Sequence, residues 1–161
     1  MTICEAIFDH YAVKEIAGEA ENNPEILQFF KELNQSWVKT DETSWCAALV
    51  NASLKKGGFP TTEHCKWPLA AKSLIAIGER ISTPRPLGTS FDFVDLCLFY
   101  RGRPWKDENP DNFEPGHAGF FIKERGMTVH SLSGNQGNML NISGYDRNTL
   151  EFYIRVYKLR A

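Results

Sequence analysis

The spacing of apolar residues changes character midway along this chain, and that change restricts the fold more than any other feature of the sequence. In the first half, apolar residues recur three and four apart, as on one face of a helix. Ile3, Ala6, Ile7 and Tyr11 follow that spacing, and Gly18 interrupts it. Asn23-Pro24 then offers a cap and a proline at the first helical position, ahead of Ile26, Leu27, Phe29 and Phe30. A third helix is expected from near Thr43, with Asp41 and Thr43 as candidate caps and Gly57-Gly58 as its end. A fourth, short helix is expected from Pro68 through Leu74.

The second half reads as strands. Residues 91–100 are rich in aromatic and branched side chains, and 117–122, 127–132 and 150–159 follow, separated by Gly, Asn and Pro clusters. Between the first two strands, residues 101–115 hold Asp107, Glu108, Asp111 and Glu114 among prolines and read as a polar loop. Helices first and strands afterwards predict an α+β fold, with N-terminal helices packed on a C-terminal antiparallel β-sheet. With 161 residues, no internal repeat and no low-complexity linker, one domain over 1–161 is expected.

Composition excludes several function classes. Eighteen basic against twenty acidic residues leave a formal charge of -2 with no basic block, so nucleic acid is not an expected partner. No apolar run is long enough to span a bilayer, so no membrane association is expected. The first eight residues include Glu5 and lack a basic leader followed by an apolar stretch, so no secretory signal is read there. The cysteines at 4, 46, 65 and 97 form no Cys-x-x-Cys pair, so reduced thiols are expected rather than a zinc ribbon. Cys4 and Cys97 lie in apolar surroundings that suit a core, and His64-Cys65 matches no defensible metal spacing; neither metal nor cofactor is expected.

Three short segments could carry chemistry. Asp41-Glu42-Thr43-Ser44-Trp45-Cys46 puts a cysteine in the first turn of the third helix. Unpaired N–H groups and the helix dipole favour a thiolate there, and the same N–H groups can hold an oxyanion. A lone helical cysteine is more often a small core residue, and Trp45 suits either the core or a cleft wall. Gly116-His117-Ala118-Gly119-Phe120-Phe121 places a histidine at the mouth of an apolar strand, within reach of a helix N-terminus packed on the sheet. It could accept the thiol proton and later protonate a leaving amine. Ser133-Gly134-Asn135-Gln136-Gly137-Asn138, at the end of the next strand, would bring Asn135 or Gln136 near His117 to fix its tautomer; alone it reads as a turn.

Taken in this order, these segments resemble the CHAP and NlpC superfamily of papain-like cysteine amidohydrolases and peptidases, and more closely a group of small bacterial and phage proteins within it. Glu15-Ile16-Ala17-Gly18 and Asn23-Pro24-Glu25-Ile26 are similar to that group's N-terminal pattern. Asp41 to Cys46 with Ala47 resembles its nucleophile motif, with Ser44 where proline is usual. Gly116-His117-Ala118-Gly119-Phe120 and Gly134-Asn135-Gln136 resemble its second and third motifs, and Val94-Asp95 stands where Gly-Asp is common. The resemblance implies a papain-like fold, Cys46 as nucleophile, His117 as general base and acid, and Asn135 as the residue that orients it. Trp45, Asp41 and Gln136 are the expected substrate contacts beside them. It also implies peptidoglycan peptides as substrate, cut as an endopeptidase or as an N-acetylmuramoyl-L-alanine amidase.

A phage lysin and a secreted antibacterial effector both fit, the latter with an immunity or inhibitor protein as partner. Either would act in the periplasm or at the cell wall after delivery by another system. Two other classes compete: a deamidase or acyltransferase acting on proteins or small amides with the same site, and a non-catalytic interaction module.

Overall fold

The computed structural model describes residues 1–16, 22–41 and 44–161. Helix α1 (Ile3–Phe8) opens on a capping box: the Thr2 hydroxyl accepts from the Glu5 N–H, and the Glu5 carboxylate accepts from the Thr2 N–H. It stops at Phe8, so Tyr11 falls outside it and is exposed. Helix α2 (Pro24–Glu32) begins where the spacing predicts, with the Asn23 side chain accepting from the Glu25 N–H at 2.9 Å. Helix α3 (Cys46–Gly57) starts later than expected and has no side-chain cap; Trp45 precedes it. The expected cap Thr43 and the expected breaker Gly18 lie outside the described residues. Gly58, at φ +82°, ends α3 in the left-handed conformation that glycine allows. The expected fourth helix is a 3₁₀ segment over Ala71–Ile77, beginning after Pro68 rather than at it.

Six strands follow: β1 (Glu79–Ile81), β2 (Phe93–Tyr100), β3 (Gly116–Arg125), β4 (Thr128–Gln136), β5 (Met139–Asp146) and β6 (Leu150–Tyr157). They form one antiparallel sheet in the order β1-β6-β2-β3-β4-β5, so the architecture is α+β. β1 and β5 are absent from the sequence reading. β1 has only three residues, and β5 alternates weakly, with Leu140 its one fully buried side chain.

The helices cover one face of the sheet. Leu96, Leu98, Ala118, Phe120 and Leu132 point to that face and share a core with Phe29 and Phe30 of α2 and with Ala48, Leu49 and Leu54 of α3. Burying side chains of this size contributes roughly 1.5–3 kcal/mol each and fixes α3 across β3 and β4. The opposite face carries its own cluster of Cys97, Phe99, Phe121, Val129 and Tyr153. Register shifts at Leu98/Phe99, Phe121/Lys123 and Ser133/Gln136 bend the strands. As a result the sheet curls, and the Tyr145 ring of β5 stacks on Phe99 of β2 at 4.6 Å although two strands lie between them.

Asp95 is structural: it is buried and accepts two 2.7 Å hydrogen bonds from Arg155, plus one of 2.7 Å from the Arg85 N–H. No described helix is long and apolar enough to cross a membrane.

Candidate active site

Two contacts fix the start of α3. The Trp45 ring lies flat on Gly134 of β4, where any Cβ would collide with it, and its Nε1–H donates to Glu15 at 2.9 Å. This seats Cys46, the first residue of α3, against the start of β3. Its sulfur accepts the Ala118 N–H and hydrogen-bonds His117. Burial pushes the Cys46 thiol up. The neighbouring His117, the Ala118 N–H and the Arg101 guanidinium outweigh that and draw it down to about 6. Cys46 is therefore largely a thiolate at neutral pH, in a first helical turn whose N–H groups have no intrahelical acceptor.

His117 is the second residue of β3 and is 1% exposed. β2 pairs with β3 so that Phe99 faces His117 and Tyr100 faces Gly116. Arg101, the next residue of the chain, thus emerges beside the imidazole, with Nη2 3.2 Å from Nδ1. The Tyr145 hydroxyl sits 3.1 Å from Nε2, and its ring stacks on the imidazole at 5.0 Å. A guanidinium can only donate, so Nδ1 accepts from it. In the neutral ring the proton is then on Nε2 and is donated to Tyr145, whereas the imidazolium paired with the Cys46 thiolate carries a proton on both nitrogens. Burial raises the Tyr145 phenol to about 12, only partly countered by Arg101, so it stays protonated across the working range.

The structure brings Cys46 and His117 together and places the other expected residues elsewhere. Asn135 does not touch the imidazole. Its Nδ2 donates to the Ser44 hydroxyl at 3.2 Å, and that hydroxyl lies 3.9 Å from the Cys46 sulfur. The cause is local: Asn135 has φ +58° within the bulge that ends β4, which turns its side chain toward α3. Gln136 is buried and donates to the Asn141 carbonyl and side-chain oxygen at 2.5 and 2.9 Å, so it ties β4 to β5. Trp45 is core, packed on Phe29 as well as Gly134, and forms no cleft wall. Asp41 caps no helix and meets no cleft; buried, it accepts from the N–H groups of Ile16 (3.0 Å) and Asn23 (2.8 Å), joining two segments of the N-terminal region.

The Cys46 sulfur opens onto a cleft of about 410 Å³ with largely apolar walls. Trp37, Trp67 and Phe113 form its exposed aromatic rim. The 101–115 loop supplies one wall, and it is anchored rather than loose. Lys72, fully buried, donates to Asp107 at 2.9 Å and to Glu114 at 2.7 Å, while Trp67 Nε1–H donates to the Asp111 carbonyl at 2.9 Å. The Lys72 ammonium, with the Asn112 side chain and the Asn109 N–H, holds the Asp107 carboxyl down at about 2.

Arg101 and Tyr145 are the site residues that sequence reasoning missed. Arg101 had a signal: the residue just past one strand lies beside the residue that starts its antiparallel neighbour. Tyr145 had none while β5 went unread. Comparison with protein-family models, with curated proteins and with solved structures finds no match to this chain.

The geometry is that of an activated nucleophile: a buried thiolate, an imidazole held by Arg101 and Tyr145, and helix-start amide donors, opening on a cleft.

Proposed function

We propose that this chain is a papain-like cysteine hydrolase of the CHAP and NlpC kind that cleaves an amide bond in the peptides of peptidoglycan. The observation that carries the reading is the Cys46–His117 contact at the mouth of the cleft, with the thiol drawn down to about 6. The motif order in the sequence supplies the substrate class.

In this mechanism the Cys46 thiolate attacks the amide carbonyl carbon, and its proton is held by His117. The carbonyl oxygen becomes an oxyanion facing the first-turn N–H groups of α3. His117 passes the proton to the leaving nitrogen, the C–N bond breaks, and an amine departs from a thioester on Cys46. Water then attacks the thioester carbon and gives its proton to His117. The C–S bond breaks, the acid is released, and the thiolate returns. Tyr145 holds the imidazole plane throughout.

Digestion of purified peptidoglycan by wild type and by Cys46→Ala, read by mass spectrometry of the fragments, tests the activity and locates the bond. Fragments from wild type alone are expected. Equal solubilisation by the two proteins would sink the hydrolase reading, and cleavage confined to a protein-amide panel would replace its substrate.

A further inference from the structure

The cleft wall carries a cation, Arg101, whose charge meets the Cys46 thiolate but no carboxylate among the described residues. Among the described residues, no carboxylate lies within ion-pair distance of Arg101, and the one hydrogen bond of its side chain goes to His117 Nδ1. Glu114, the acid on the same cleft, is not available to it. Its carboxylate is bound by Lys72 and by the Lys106 N–H at 3.0 Å. Around these groups the wall is built from Trp, Phe, Leu, Ala and Pro side chains, where a guanidinium without a carboxylate partner is a strong site for one.

The hydrogen-bond partner that Arg101 now has is a poor one. A neutral ring nitrogen offers one lone pair, whereas a carboxylate offers two charged oxygens in the geometry of the guanidinium fork.

We propose that Arg101 is the receptor for a substrate carboxylate beside the scissile amide, and that binding it draws the guanidinium off His117 Nδ1. The ligand class is an acidic peptide with a free carboxylate within about one residue of the bond cut, because Arg101 and Cys46 line the same cleft. Substrate charge is then the specificity signal. The inference rests on the hydrolase reading above.

The test uses purified peptidoglycan and the same polymer after carbodiimide-driven amidation of its carboxyl groups. Initial cleavage rates of wild type, Arg101→Gln and Arg101→Lys are followed by mass spectrometry, with Cys46→Ala as the blank. Wild type is expected to prefer the native polymer by about 10-fold or more, the worth of one charge-assisted contact. Arg101→Gln brings that ratio close to one, and Arg101→Lys keeps part of it. The ratio reads selectivity and is insensitive to a general loss of thiolate or stability. Equal rates of wild type on the two polymers, or an unchanged preference in Arg101→Gln, overturn the carboxylate receptor and leave the hydrolase standing. No cleavage of either polymer by wild type overturns the hydrolase reading itself, and this inference with it.

Discussion

Two cysteines of this chain are buried to nearly the same degree, Cys46 at 2% and Cys97 at 0% exposure, yet their thiols move in opposite directions. Burial pushes both up, because a thiolate loses its hydration. At Cys46 the fold then adds His117, the Ala118 N–H and Arg101, and the thiol falls to about 6. At Cys97 it adds Asp95 and Glu124, and the thiol rises well above its ordinary value, with Ser131 as a weak counterweight. The difference is one of place. Cys46 stands at a helix tip and the start of a strand, where backbone donors are uncommitted. Cys97 sits in mid-β2 between Gly119 and Tyr153, where the ladder has used them. Burial makes a cysteine sensitive to its neighbours; the neighbours decide the sign.

The comparison breaks first at the sulfur. Cys46→Ala is expected to lower peptidoglycan cleavage by about 10⁴-fold or more, as loss of a nucleophile does, while Cys97→Ala stays within a few-fold of wild type. Comparable losses in both variants would make Cys46 an ordinary core residue. The pH dependence follows from the same contrast. A depressed thiol is thiolate above its midpoint, so alkylation of Cys46 by iodoacetamide should rise with pH through about 6. Cys97 should remain unlabelled until the protein unfolds.

The next largest effect belongs to the carboxylate under Cys97. Asp95→Ala leaves Arg155 without its partner in a largely buried pair and is expected to cost about 3 kcal/mol, read from the denaturant midpoint. Cys97, released only on unfolding, should therefore label at a lower denaturant concentration while the Cys46 profile stays fixed. Movement of both profiles together would show that the two sites are not independent. A smaller effect is expected at Tyr145→Phe, which keeps the ring stack on His117 and deletes the hydroxyl at Nε2. Losing one hydrogen bond of this kind lowers kcat about 10-fold. The circular-dichroism melt should be unchanged, and a loss appearing only in the melt would make Tyr145 a packing residue.

Much of the helical half was legible in the sequence because its signals are local. Asn23-Pro24 and Gly57-Gly58 act through their own backbone angles, and Cys46 owes its place to the helix that follows it. The strands with strong apolar runs were legible too, as was the α+β order. The unread parts depend on the curl of the sheet. β5 hides behind Asn141, Ser143 and Gly144, and nothing near Tyr145 in sequence announces that a bent sheet will lay it on His117. Trp45, Asp41 and Gln136 misled for a related reason. Their positions beside the three sequence motifs are real, but each spends its polar atoms or its ring on the scaffold that holds those motifs.

Asn135 gives the smallest effect and the sharpest distinction between two ways of holding His117. If the imidazole is oriented by Tyr145, removing the Asn135 amide costs only its bond to Ser44. The variant must keep the backbone at φ +58°, where alanine would add strain of its own. Asn135→Gly satisfies that condition because glycine enters the left-handed region freely. Its kcat/KM should fall by no more than about 3-fold, less than one full hydrogen bond. The double variant with Tyr145→Phe should then show the product of the two single losses, since the groups act on different atoms, Ser44 Oγ and His117 Nε2. A loss of about 100-fold for Asn135→Gly alone would return the orienting role to Asn135 and demote Tyr145 to its ring.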